Sequence, residues 1–192
     1  MSASNQYRGI NHPRKQLDSR FASSNLPLRG AKGWNYEGGL RVPLIVHWPG
    51  QTKANTMSHA VVTGPDYYPT LLKMLGLPLL PKQHIDGKSF VPALRGEEHN
   101  RGAIYWHFPH YSNHGYQSPG GAIRFGHYKL LEYFENGTVQ LFNLQNDIGE
   151  NNDLSKSKPD ITKKLLKMLH DWRKEVDAKM PQLKTASNSS SN

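Results

Sequence analysis

Between Ile161 and Val176 apolar residues recur every three or four positions, as Ile161, Leu165, Met168, Leu169, Trp172 and Val176, with lysines filling the places between them. That period places the apolar side chains on one stripe of a helix. Pro159 opens this helix, and it is expected to end near Met180-Pro181. Upstream the pattern is that of strands. β-Branched and aromatic residues from Ala122 to Phe134 and from Thr138 to Leu144 flank Asn136-Gly137, a dipeptide suited to a tight hairpin turn. Ala103-Ile104-Tyr105-Trp106 predicts a further strand, which delivers His107-Phe108-Pro109-His110-Tyr111 into a loop rich in Gly, Ser, Asn and Pro that runs to Gly121.

The first half of the chain is patterned differently. Leu44-Ile45-Val46-His47-Trp48, closed by Pro49-Gly50, predicts a buried strand, and Ser58 to Thr63 a short second one. Pro65 suits the first turn of a helix whose apolar stripe is Tyr67, Tyr68, Leu71, Leu72 and Leu75, stopped by Gly76-Leu77-Pro78 and expected to pack on a sheet. His47 and His59 lie in apolar stretches and read as satisfied core histidines. Asp86-Gly87 marks a turn, and Ser89 to Leu94 a short helical or extended piece. The polar lead-in over 1–23 and the Ser/Asn tail over 185–192 are expected to lack order.

At 192 residues and 36% apolar, the chain has the length of one ordinary domain and enough apolar matter for a modest core. The net charge of +9 favours anionic partners. Much of the excess, however, is lysine crowded into the last forty residues, as a solvated helix face explains. There is no cysteine, which excludes disulfides, thiolate metal sites and cysteine nucleophiles. No apolar run approaches the roughly 20 residues of a membrane span, and the polar start lacks the apolar middle of a signal peptide. Aromatic residues mixed with cations also suit nucleic acid, but no stacking platform or recognised module accompanies them. Asn136-Gly137-Thr138 and Asn188-Ser189-Ser190 match the glycosylation pattern, although a turn and a low-complexity tail explain them more simply.

The densest chemistry lies in Leu28-Arg29-Gly30-Ala31-Lys32-Gly33-Trp34-Asn35-Tyr36-Glu37-Gly38-Gly39-Leu40-Arg41-Val42-Pro43. Glycines allow positive φ and close backbone approach, so such a loop can wrap a small anion and aim Lys32 at it. Glu37 and Arg41, four residues apart, read as internal partners that fix the loop's shape. A glycine-rich surface turn with a solvated ion pair would use the same composition.

The whole string, with the Trp48-Pro49-Gly50 that follows, resembles the second half of type I sulfatases, the arylsulfatase-like family. Asp66-Tyr67-Tyr68-Pro69-Thr70-Leu71 is similar to that family's Asp-x-x-Pro-Thr-Leu helix, and Asp86-Gly87-Lys88-Ser89-Phe90 with Leu94-Arg95-Gly96 to its Asp-Gly-x-Ser-Leu segment. Ala122 to Leu130 and Leu141-Phe142-Asn143-Leu144, with Asp147 and Glu150, resemble its C-terminal antiparallel sheet. The resemblance runs over 24–180. It implies an α/β fold: over 24–100 the remainder of an alkaline-phosphatase-like α/β/α domain, and over 101–184 a small antiparallel sheet with a packed C-terminal helix.

It also implies sulfuric ester hydrolysis, in which a formylglycine made from a Cys-x-Pro-x-Arg motif attacks the sulfate of an aryl or carbohydrate ester beside a calcium ion. Neither that cysteine nor its serine variant occurs in this sequence. The isolated chain is therefore expected to be inactive, with the nucleophile and the calcium ligands in a missing N-terminal half. No metal ligand is assigned here, and the family suggests a periplasmic or secreted location.

Lys32 matches the family lysine that contacts the sulfate. His107, His110 and His114 have spacing that could suggest a metal site, but Pro109 argues against a continuous helix and calcium prefers oxygen ligands. His107 and His110 are therefore expected to line a substrate pocket, hydrogen-bonding a sugar or donating to the leaving oxygen. Tyr105, Trp106, Phe108, Tyr111 and Tyr116 around them suit a sulfated glycan. The rival reading is a stand-alone, non-catalytic anion- or glycan-binding module.

Overall fold

Short runs rich in aliphatic and aromatic residues build one antiparallel sheet, seen in a computed structural model that describes residues 25–111 and 118–182. Its strands are β1 (Ile104–Phe108), β2 (Gly120–Phe125), β3 (Tyr128–Tyr133) and β4 (Val139–Asn143), in the spatial order β1-β2-β3-β4. The expected arm from Ala122 to Phe134 is two strands rather than one. Gly126, at φ +58°, turns the chain between Phe125 and Tyr128, which face each other across the first hairpin. The Asn136-Gly137 turn connects β3 to β4 as expected, with Gly137 at φ +66°.

Successive residues on a strand point to opposite faces, and both faces of this sheet are covered. On one face Ile123, Leu130 and Leu141 pack against Leu165 and Leu169 of the C-terminal helix α4 (Pro159–Glu175). Tyr105 stacks on Trp172 there, with centroids 4.8 Å apart and planes within 4°. The helix ends at Glu175, five residues before the expected stop. On the other face Ala122, Leu131 and Phe142 pack with Tyr36 and Leu144. Tyr36 belongs to the glycine-rich loop, which leads into the single-turn helix α1 (Glu37–Leu40). Among the described residues, those up to Arg41 therefore form one compact unit with those from Ala103 onward. The loop's own contacts are with the sheet, although its sequence suggested it would belong with the segment that follows.

Val42–Gly102 is a second compact unit. It holds a 3-10 turn (Gly64–Asp66) running into α2 (Tyr67–Met74), and a short helix α3 (Val91–Leu94). Neither expected strand forms here. Residues 44–48 and 58–63 have no strand assignment, Ile45 is 94% exposed, and His47 and His59 face solvent instead of a core. The reason is physical: a strand needs a hydrogen-bonded neighbour, and among the described residues this segment has none. Likewise Tyr67, Tyr68, Leu71 and Leu75 of the α2 stripe are largely exposed, because this unit offers no sheet to cover them. The unit is organised instead around fully buried Asp66. The lead-in over 1–23, the tail over 185–192, His114 and Tyr116 lie outside the described residues.

Candidate functional site

The loop from Arg29 to Arg41 is folded back on itself by short backbone bonds. The Gly38 N–H donates to Arg29 O at 2.7 Å, the Trp34 N–H to Ala31 O at 3.1 Å and the Gly39 N–H to Tyr36 O at 2.9 Å. Gly30 and Gly33 take positive φ, +79° and +92°, and between them Lys32 is solvent-exposed. Gly38 and Gly39 serve a different need. A Cβ on Gly38 would lie 2.4 Å from Gly30 O, and one on Gly39 2.2 Å from Trp34 O, so the turn closes only without side chains there.

Below the loop lies a charged group that sequence reasoning missed. Lys129 is the second residue of β3 and is 0% exposed. Its ammonium donates to Glu37 Oε1 at 3.0 Å and lies 3.0 Å from Glu150 Oε1. Glu150, also 0% exposed, accepts the Glu37 N–H on Oε2 at 2.7 Å, while its backbone oxygen accepts from Arg29 Nη1 at 2.7 Å. Arg124 Nη1 and Arg41 Nη1 stand 3.7 and 3.9 Å from Glu37 Oε2, near enough for charge attraction but making no hydrogen bond. The expected Glu37–Arg41 partnership is thus present at the margin of a larger buried network. The Arg29 guanidinium also lies 4.1 Å from the centroid of the Tyr36 ring, and the Tyr36 hydroxyl donates to Gln140 Oε1 at 2.7 Å. One signal for the network was readable: a lysine inside Tyr128-Lys129-Leu130-Leu131, at a strand position whose neighbours are apolar.

Burial pushes the Glu150 carboxyl above the usual range, against the opposing pull of the Lys129 ammonium and the Glu37 N–H. The folded state therefore holds the Glu150 proton more tightly than the unfolded chain does. Through this group, stability falls as pH rises from the ordinary carboxylate value, about 4.3, to the raised folded value. Glu150→Gln is expected to flatten that descent in urea unfolding followed from about pH 4 to about pH 7. Parallel profiles for the two proteins would show that the Glu150 proton is not linked to folding.

The sheet register places the other expected site residues. His107 lies in β1 opposite Gly121, which in turn opposes Glu132. Glu132 accepts from Arg173 Nη1 at 2.5 Å and lies 2.8 Å from His170 Nε2, so this row of the sheet faces α4. His107 Nε2 is 2.9 Å from Lys179 O, and its ring tilts against Phe134. Lys32 belongs to the loop covering the opposite face. His110, beyond the end of β1, is exposed and meets Phe108 edge-on. No group of three or more His, Asp or Glu that could hold a metal is found among the described residues. No step through calcium is assigned to them.

A family model described as N-sulphoglucosamine sulphohydrolase, C-terminal, matches residues 31–175, a span that begins inside the glycine-rich loop, includes Lys32 and takes in the whole sheet. The chain belongs to the sulfatase family. A sulfatase of Formosa agariphila is 36% identical over 170 residues, which cover 78% of this chain and 30% of that protein. Arylsulfatase G of Rattus norvegicus is 28% identical over 156 residues, 72% of this chain and 29% of the relative. The solved structure of Ps i-CgsB in complex with k-i-k-neocarrahexaose aligns with a TM-score of 0.67 at 32% identity, over 78% of this chain and 32% of that one. This chain thus spans about 30% of the length of these two sulfatases. Its fold is that of a C-terminal part of the alkaline-phosphatase-like architecture those sulfatases share. No helix of the described residues is long and apolar enough to cross a membrane.

Proposed function

We propose that this chain supplies the C-terminal part of a sulfuric ester hydrolase acting on a sulfated carbohydrate, with Lys32 donating to a sulfate oxygen. The observation that carries the reading is the placement of an exposed lysine between two positive-φ glycines, on a loop whose two ends are tied to buried charges. A compact ammonium in that setting suits a tetrahedral oxyanion. The oligosaccharide bound to the related Ps i-CgsB favours a carbohydrate ester.

In this reading His110 lines the pocket, and His107, on the face of the sheet opposite the loop that carries Lys32, does not. His110 is the more available of the two for hydrogen bonding to a sugar, because His107 is already within bonding distance of Lys179 O. The nucleophile and the calcium belong to the other part of the enzyme, and a periplasmic or secreted setting follows the family. The chain alone binds the oxyanion without turnover, since it has no cysteine to become formylglycine.

The test is calorimetric titration with a sulfated oligosaccharide, beside an assay with a chromogenic aryl sulfate in calcium. Lys32→Ala is expected to weaken binding about tenfold, or about 1.4 kcal/mol. An unchanged Kd would remove Lys32 from the site, and hydrolysis by the chain alone would refute its inactivity.

A further inference from the structure

The structure assigns to Lys129 the role of positioning residue for Lys32: it never meets the sulfate, and it holds the loop that presents the contacting lysine. The inference rests on Lys32 being the oxyanion contact. Lys129 sits opposite Arg124 on one side and Phe142 on the other, on the sheet face that also buries Ala122 and Leu131. Burying an ammonium there carries a desolvation cost, and an apolar side chain of similar size would fill the space without it.

What the lysine provides instead is a junction. Its two carboxylate partners come from segments far apart in the chain, Glu37 at the base of the loop and Glu150 after β4. Glu150 then grips both ends of the loop, at the Glu37 N–H and at Arg29 Nη1. The tied positions, 29 and 37, bracket Lys32. A tip containing two positive-φ glycines has little stiffness of its own, so ordering it on binding would be charged against affinity. Fixing both ends beforehand lowers that cost. Without the Lys129 ammonium, Glu37 and Glu150 lose the cation that joins them, and the base of the loop is no longer tied to β3 through it.

The probe is inorganic sulfate, titrated at constant ionic strength against chloride and followed in the backbone amide spectrum of the whole chain. Lys129→Met is expected to weaken sulfate binding at least fivefold and to speed amide exchange at Glu37, while Leu165 and Leu169 in α4 keep their protection. The double variant Lys129→Met/Glu150→Gln removes one carboxylate along with the ammonium and keeps the test alive should the single variant not fold. It too loses the tie between Lys129 and the loop, and the same loss of affinity is expected. Sulfate affinity within twofold of the parent in whichever variant folds would overturn the positioning role. Lys32→Ala is run alongside. If it leaves sulfate binding unchanged, the Lys32 reading itself fails; if it abolishes binding while the Lys129 variants bind normally, only the positioning inference fails.

Discussion

Replacing Gly39 by alanine is expected to open the glycine-rich loop and destabilise the unit built on the four-stranded sheet by about 3 kcal/mol or more. The added methyl would sit 2.2 Å from Trp34 O and 2.6 Å from Ala31 O, and both atoms are backbone, so no rotamer change can relieve the clash. Either the turn from Ala31 to Trp34 opens or α1 lifts away from it. If α1 lifts, the Glu37 N–H leaves Glu150 and the Glu37 carboxylate leaves Lys129, which strands charges in the core. Urea unfolding measures the loss, and sulfate binding should vanish with it. Gly64→Ala is the matched control: an added Cβ there meets nothing within 4 Å, and its effect should stay within about 0.5 kcal/mol. Equal stability of Gly39→Ala and the parent would mean that the loop does not close as described.

How much of this was readable beforehand depends on where each element finds its partner. The sheet and α4 were readable because their signals are local: a 3.6-residue stripe from Ile161 to Trp172, and a turn dipeptide at Asn136-Gly137. The missed turn at Gly126 is also local, but Phe125-Gly126-His127-Tyr128 has no strong turn dipeptide, and its aromatic flanks read as a continuing strand. Leu44 to Trp48 failed in the opposite way. Its composition is that of a buried strand, yet a strand is a property of a pair, and composition does not supply the neighbour. Lys32 stood out through its glycine neighbours. Lys129 and Glu150 did not, because a buried ion pair between residues 21 apart in sequence, joined to Glu37 a further 92 residues upstream of Lys129, has no spacing to detect.

In the second unit, Asp66→Ala is expected to cost about 3–5 kcal/mol, the range for removing one partner of a buried ion pair. Asp66 is 0% exposed and saturates its carboxylate. Oδ2 accepts the Thr63 N–H at 2.8 Å, the Thr63 hydroxyl at 3.0 Å and Arg101 Nε at 2.8 Å, and Oδ1 accepts the Lys88 N–H at 2.8 Å. These four donors come from three separate stretches, so one side chain joins the 3-10 turn, the Asp86-Gly87 turn and the segment that ends the unit. The chain of bonds continues through Thr70, whose hydroxyl donates to Asp66 O at 2.6 Å and accepts the Phe90 N–H at 3.0 Å. Apolar burial in this unit is small, being mainly Phe90, Val91 and Ala93, while Ile45, Met57, Leu75 and Ile85 lie largely in solvent. A unit with so little core depends on its polar centre. Losing Asp66 would leave Arg101 Nε and two backbone N–H groups without their acceptor, while Arg101 Nη2 keeps Asp86 O, and no apolar contact stands ready to compensate. Asp66→Asn keeps the volume but turns an NH2 group toward a ring of donors, so it should recover only part of the loss. Amide exchange at Phe90 reads the outcome directly, and slow exchange there in Asp66→Ala would show that the helices α2 and α3 are held by something other than this carboxylate.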